Sequence, residues 1–153
     1  MAARFRRMPY ETFYVDSGKG VHKYGRGVVT STEMLSASLR ESSDEERSRK
    51  LRYGLVDFSE TTDLQITPEV IRQLVEINRK LASYTPGAFV AIVAPTDFPY
   101  AMARLWQTFS QDLGWSANVF HSRPAAVAWL RKQLRIEAES GDVLNEYPSL
   151  REV

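Results

Sequence analysis

The spacing of apolar residues along this chain switches repeatedly between the two-residue repeat of strands and the 3.6-residue repeat of helices. Residues 10–15 are aromatic and β-branched, which suits a strand. The turn signal Ser17-Gly-Lys-Gly separates them from a second strand over 21–29, and the two are predicted to pair as an antiparallel hairpin. Thr30 and Glu33 have capping-box spacing and open a helix whose apolar face, Met34, Leu35 and Leu39, is thin. The mixed-charge run 45–50 reads as a solvated helix face or loop. Residues 51–58 make the next strand and 59–63 a polar loop. Thr67 caps a helix with Pro68 at its first position, where a missing N–H does no harm. Val70, Ile71, Leu74, Val75, Ile77 and Leu81 share one side of that helix, and Asn78 falls inside their stripe.

Residues 88–94 are almost entirely apolar, the pattern of a strand buried on both faces. Asp97 is placed to cap the helix that follows, on which Phe98, Met102, Leu105, Phe109 and Leu113 line one stripe with Trp106 at its boundary. A short strand over 116–121 comes next. The last helix is capped by Ser122 and turns Val127, Leu130 and Leu134 inward, with Trp129 nearby. The order β-β-α-β-α-β-α-β-α implies crossovers that lay helices on a sheet. The expected fold is therefore α/β, with a single mixed sheet of about five strands. An opening antiparallel hairpin leads into parallel β-α units, and helices cover the sheet.

Composition narrows the function classes. The 153 residues are 43% hydrophobic and 25% charged, ordinary for one cored domain and unlike a wholly disordered chain. Twenty Lys+Arg against 19 Asp+Glu leave a net charge of +1, so there is no electrostatic footprint for nucleic acid. With no cysteine, disulfides, thiol catalysis and Cys-ligated zinc are excluded. No apolar run approaches the roughly 20 residues of a membrane span. The basic start, with Arg4, Arg6 and Arg7, leads into Pro9, Tyr10 and Glu11 rather than the apolar stretch of a secretory signal. A cytoplasmic protein is expected. Residues 1–9 read as a flexible basic lead, 10–136 as the domain and 137–153 as an acidic tail. Five acids against Arg151 give that tail −4, which leaves +5 on 1–136. Gly141 and Pro148 interrupt any helix in the tail, while Tyr147 and Leu150 can pin it to the body.

Three segments resemble the SpoIIAA-like proteins, relatives of the STAS domains of anti-sigma-factor antagonists. They are Tyr53-Gly-Leu-Val-Asp-Phe, then Val90-Ala-Ile-Val-Ala-Pro-Thr-Asp-Phe leading into Tyr100-Ala-Met-Ala-Arg-Leu-Trp, and Val119-Phe-His-Ser leading into Ala125-Ala-Val-Ala-Trp-Leu. The likeness spans about residues 10–136. It implies a mixed-sheet α/β fold related to STAS domains and to CRAL-TRIO lipid carriers and implies no established activity; with no coherent catalytic set in the sequence, neither an enzymatic activity nor a cofactor is expected. It implies binding of a small apolar ligand, or of a membrane surface, in a regulatory or carrier role. A STAS-type switch that docks a protein partner is the alternative, and a homodimer stays open. STAS antagonists carry a phosphorylated Ser in an Asp-Ser-Ser-Gly type turn at a helix start. Here Asp57-Phe-Ser-Glu-Thr-Thr stands in its place, so that role is not carried onto Ser59.

Ligands of α/β sheets settle at the carboxyl ends of parallel strands. The element order brings Ser59, Thr61, Thr62, Thr96, Asp97, His121, Ser122 and Arg123 to those ends. A hydrolase reading takes His121 as base, Ser59 or Ser122 as nucleophile and Asp97 as the group that orients the imidazole. It lacks the sharp G-x-S-x-G turn, and Asp97 and Ser122 have a simpler use as helix caps. No metal site is expected, because His22 and His121 are the only histidines and neither H-x-x-x-H nor H-E-x-x-H occurs. The expected ligand-binding residues are Asn78, Thr96, Asp97, Tyr100, Met102 and Trp106. A protein partner would meet Ser59, Thr61, Thr62 and His121. Asn78 either satisfies a backbone group near its helix end or lines a cavity. Met102 and Trp106 either belong to the core or edge a movable cleft.

Overall fold

The computed structural model describes residues 8–137 and 143–151. Five strands form one sheet in chain order: β1 (Tyr10–Val15), β2 (Gly20–Thr30), β3 (Tyr53–Gln65), β4 (Phe89–Val93) and β5 (Ser116–Phe120). β1 and β2 are the antiparallel hairpin, and every later neighbour is parallel. The fold is thus α/β with one mixed five-stranded sheet. The helices are α1 (Ser31–Ser42), α2 (Glu45–Ser48), α3 (Pro68–Tyr84), α4 (Asp97–Phe109), α5 (Arg123–Glu137) and α6 (Val143–Glu146). None of the helices among the described residues is long and apolar enough to cross a membrane.

Strand alternation divides the core in two. Phe58, Ile92 and Val119 meet Met34 and Ala37 of α1, Ile71, Leu74 and Val75 of α3, and Ala103 and Trp106 of α4. On the opposite face Tyr53, Leu55, Ala91 and Val93 meet Ala126, Val127, Leu130 and Leu134 of α5. Tyr147 and Leu150 complete that second cluster, so this part of the acidic segment is pinned to the body as its sequence suggested. Residues 1–7, 138–142 and 152–153 lie outside the described residues.

Local chemistry sets several boundaries. Thr30 and Glu33 form both halves of the capping box. The Thr67 side chain accepts from the N–H of Val70, and Ser122 accepts from the N–H of Ala125. Gly20 lies under the Tyr53 ring, where a Cβ would come within 2.4 Å of ring carbon. No other residue fits that spot without displacing Tyr53.

Four expectations need correction. Residues 59–63 are not a loop. β3 runs on through them and pairs with β2 as far as Thr30↔Gln65, whereas its pairing with β4 stops at Asp57↔Val93. Ser59, Thr61 and Thr62 therefore stand on a two-stranded ribbon that projects past the sheet. One face of the ribbon is covered, with Val29 and Leu64 in the core and the Thr61 hydroxyl buried, while Ser59 and Thr62 are exposed. Asp97 is not the cap of α4. Thr96 holds the cap position, without a side-chain hydrogen bond, and Asp97 is exposed in the first turn. The buried line of α4 runs through Pro99, Ala103 and Trp106, one residue on from the expected stripe, and Phe98 is 49% exposed. Small Ala103 lets the helix approach the sheet, and the indole of Trp106 turns inward to a hydrogen bond. On α1, Leu39 is 55% exposed, and the buried face includes Ala37, Ser38 and Glu41.

Candidate functional site

A cavity of about 110 Å³ lies between the sheet and the layer of α1, α3 and α4. Ile92 and Val56 of the sheet, Ile71 and Leu74 of α3, and Met102 and Ala103 of α4 give it apolar walls. Protein interiors rarely leave a void much larger than a water molecule, so a space of this size between otherwise packed side chains is unusual. Two polar pairs face it. In one, Trp106 Nε1–H donates to Oδ1 of Asn78 at 3.0 Å, joining α4 to α3. Each residue is 8% exposed. Asn78 thus lines the cavity, and its carbonyl serves a side chain rather than a backbone group.

In the other, the Lys23 ammonium of β2 donates to the Glu41 carboxylate of α1, with both residues buried. Burial is the largest single influence on Lys23 and works against its charge. Glu41, by charge and hydrogen bond, together with Tyr10 and Tyr14 outweighs it and holds the lysine pKa above its ordinary value. Burial also pushes the Tyr10 phenol up, the Lys23 charge opposing and the Glu41 charge adding to the rise. An uncompensated ion here would be costly, and the Glu41 carboxylate is what keeps the buried lysine charged.

The remaining expected site residues fall elsewhere. Thr96 and Asp97 are exposed beyond the end of β4. Tyr100 stacks on the exposed His121 ring, with centroids 4.2 Å apart and planes 8° apart. None of these four lines the cavity. Of the six expected ligand residues, the structure brings together Asn78, Met102 and Trp106 and separates Thr96, Asp97 and Tyr100 from them. No hydrogen bond among the described residues joins His121 to Asp97, Ser59 or Ser122, the residues the hydrolase reading would need together; His121 stacks on Tyr100, and Ser122 accepts from the N–H of Ala125. Among the described residues, no group of three His, Asp or Glu side chains gathers as metal ligands would.

On the opposite face of the sheet a polar chain crosses β2 and β3. The Tyr53 hydroxyl donates to Asp16 Oδ2 at 2.6 Å. Ser149 donates to the same carboxylate through its hydroxyl, at 2.6 Å, and its backbone N–H, at 2.8 Å. His22 Nε2 is 2.9 Å from the Tyr53 oxygen and Nδ1 is 3.3 Å from the Tyr24 oxygen. With the Tyr53 proton committed to Asp16, His22 must donate from Nε2 and accept at Nδ1. Arg123 donates to Tyr24 and to Asp57, each at 3.0 Å. Asp16 and Ser17 adopt left-handed backbone angles, φ 56° and 58°, at the turn that this network holds. Burial, helped by the charge of Arg123 and opposed by Asp16 and Asp57, lowers the His22 pKa to about 4. This chain fastens the segment around Ser149 to the sheet. Sequence reading assigned no role to Asp16, Tyr53 or Ser149, and their spacing carries no motif.

Two predictions follow from these pairs. Asn78→Ala leaves the indole N–H of Trp106 buried without an acceptor and is expected to cost about 1–3 kcal/mol in urea unfolding. In a Trp106→Phe background the same substitution should cost about 1 kcal/mol less. Equal losses in the two backgrounds would show that the pair is not coupled. For His22, the unfolded chain binds more protons than the folded one between about pH 4 and pH 6.5. Stability is then lost as pH falls through that window, by up to about 3 kcal/mol from this group. His22→Gln should flatten the wild-type dependence of urea stability on pH there, and an unchanged slope would contradict the assignment.

Compared with known proteins, the chain matches no family model, no curated protein and no solved structure. The likeness to SpoIIAA-like proteins rests on the three quoted segments alone.

Proposed function

We propose that this chain is a non-enzymatic binding module that takes a small apolar molecule into the cavity beneath α1, α3 and α4, in a regulatory or carrier role. The observation that carries the reading is the cavity itself, about 110 Å³ with mostly apolar walls. Apolar cavities of comparable size, about 150 Å³, stay dry and admit benzene. Met102 supplies an adaptable wall, since an unbranched thioether re-packs around guests of different shape. Asn78 and Trp106 satisfy one another there and present no unpaired donor from the indole. The resemblance to SpoIIAA-like proteins points the same way.

Benzene is the probe. At ten times its dissociation constant it should stabilise the protein by about 1.4 kcal/mol, which raises the melting temperature by roughly 3–5 °C. Ala103→Leu puts extra side-chain volume against the cavity and should abolish the shift while circular dichroism still reports a cooperative fold. No shift in the parent protein, or an equal shift in folded Ala103→Leu, would sink the proposal.

A further inference from the structure

A second space, a groove of about 390 Å³, runs along the outer side of β1 and α1. Tyr10 and Glu41 line both this groove and the inner cavity, so the two spaces adjoin at these residues. Tyr10 lies against Phe58, with ring centroids 6.4 Å apart, and Glu41 is held by Lys23. The groove's charges are unevenly matched. Its carboxylates are taken, Glu11 by Arg26 at 3.1 Å and Glu41 by Lys23. Its cations are freer. The Arg40 guanidinium makes no hydrogen bond or ion pair among the described residues. Arg47 is more engaged: it lies over the Tyr14 ring at 4.4 Å, hydrogen-bonds the Tyr14 side chain and pairs with Asp44 at 3.8 Å, all at an exposed position. A mostly apolar cavity and a groove whose arginines are less engaged than its carboxylates adjoin at Tyr10 and Glu41.

We propose that the ligand is an amphipathic monoanion with the chemistry of a medium-chain carboxylate. Its carboxylate sits in the groove against Arg40 and Arg47, and its chain passes between Tyr10 and Glu41 into the cavity. This rests on the apolar-ligand reading above and adds a head-group site and a route to it. Neutralised acids repel the head less than the two arginines attract it, and guanidinium groups bind carboxylates through paired N–H donors.

The test titrates the full chain with octanoate, octanol and benzene by calorimetry. Octanoate should bind about tenfold more tightly than octanol. The double variant Arg40→Glu/Arg47→Glu, both positions exposed, should remove that advantage and leave octanol and benzene binding as they were. Equal affinities for octanoate and octanol, or an advantage that survives the charge reversal, would overturn the head-group site while benzene binding keeps the cavity reading intact. If benzene fails as well, both readings fall. Co-sedimentation with phosphatidylglycerol vesicles in the absence of octanoate binding would also overturn it, by assigning the arginines to a membrane surface.

Discussion

Strands β2 to β5 lie side by side in chain order and parallel, so each crossover steps the same way across the sheet. With a right-handed crossover preferred, α1, α3 and α4 must all fall on one face. That constraint sets the rest of the molecule. The crowded face has three helices to seat on five twisted strands. The other face has α5 alone, and Tyr147 and Leu150 of the acidic segment fill what α5 leaves open. The chain of hydrogen bonds from Arg123 to Asp16 and Ser149 then ties that segment to the sheet.

On the crowded face, all three helices are engaged by polar pairs as well as by apolar contact. Glu41 of α1 reaches Lys23 of the sheet, and Asn78 of α3 takes the indole proton of α4. Each pair holds its elements at a separation set by hydrogen-bond length, and neither side chain can move away without stranding its partner in a poorly solvated place. The layer is therefore resistant to collapse onto the half-open space beneath it. The same tethers that steady the fold preserve the cavity from which the binding proposal starts.

The elements of this fold were largely legible in the sequence because their signals are local. The Thr30–Glu33 capping box, Pro68 at a helix start and the unbroken apolar run of β4 each act within a few residues. The stripe that contains Asn78 was legible too, and its buried place follows directly from helical spacing. What failed depended on the neighbours. Ser59, Thr61 and Thr62 look like a loop because polar residues fill loops, yet strand β2 continues beside them and supplies a pairing edge. The inward face of α4 was misplaced by one residue because apolarity favours Phe98, while packing favours the small Ala103 and the hydrogen-bonded Trp106. Lys23 and Glu41 are ordinary charged residues in sequence. Only the register of β2 and the last turn of α1 brings them face to face.

The central claim is that the space beneath α1, α3 and α4 accepts an apolar guest, and the methionine methyl groups report on it directly. Met34 and Met102 line the cavity, whereas Met8 lies in the outer groove. In ¹³C-methyl spectra of methionine-labelled protein, benzene should shift the Met34 and Met102 resonances in a saturable way and leave Met8 in place. Resonances of Met34 and Met102 that stay fixed, or that drift linearly together with Met8, would contradict the account.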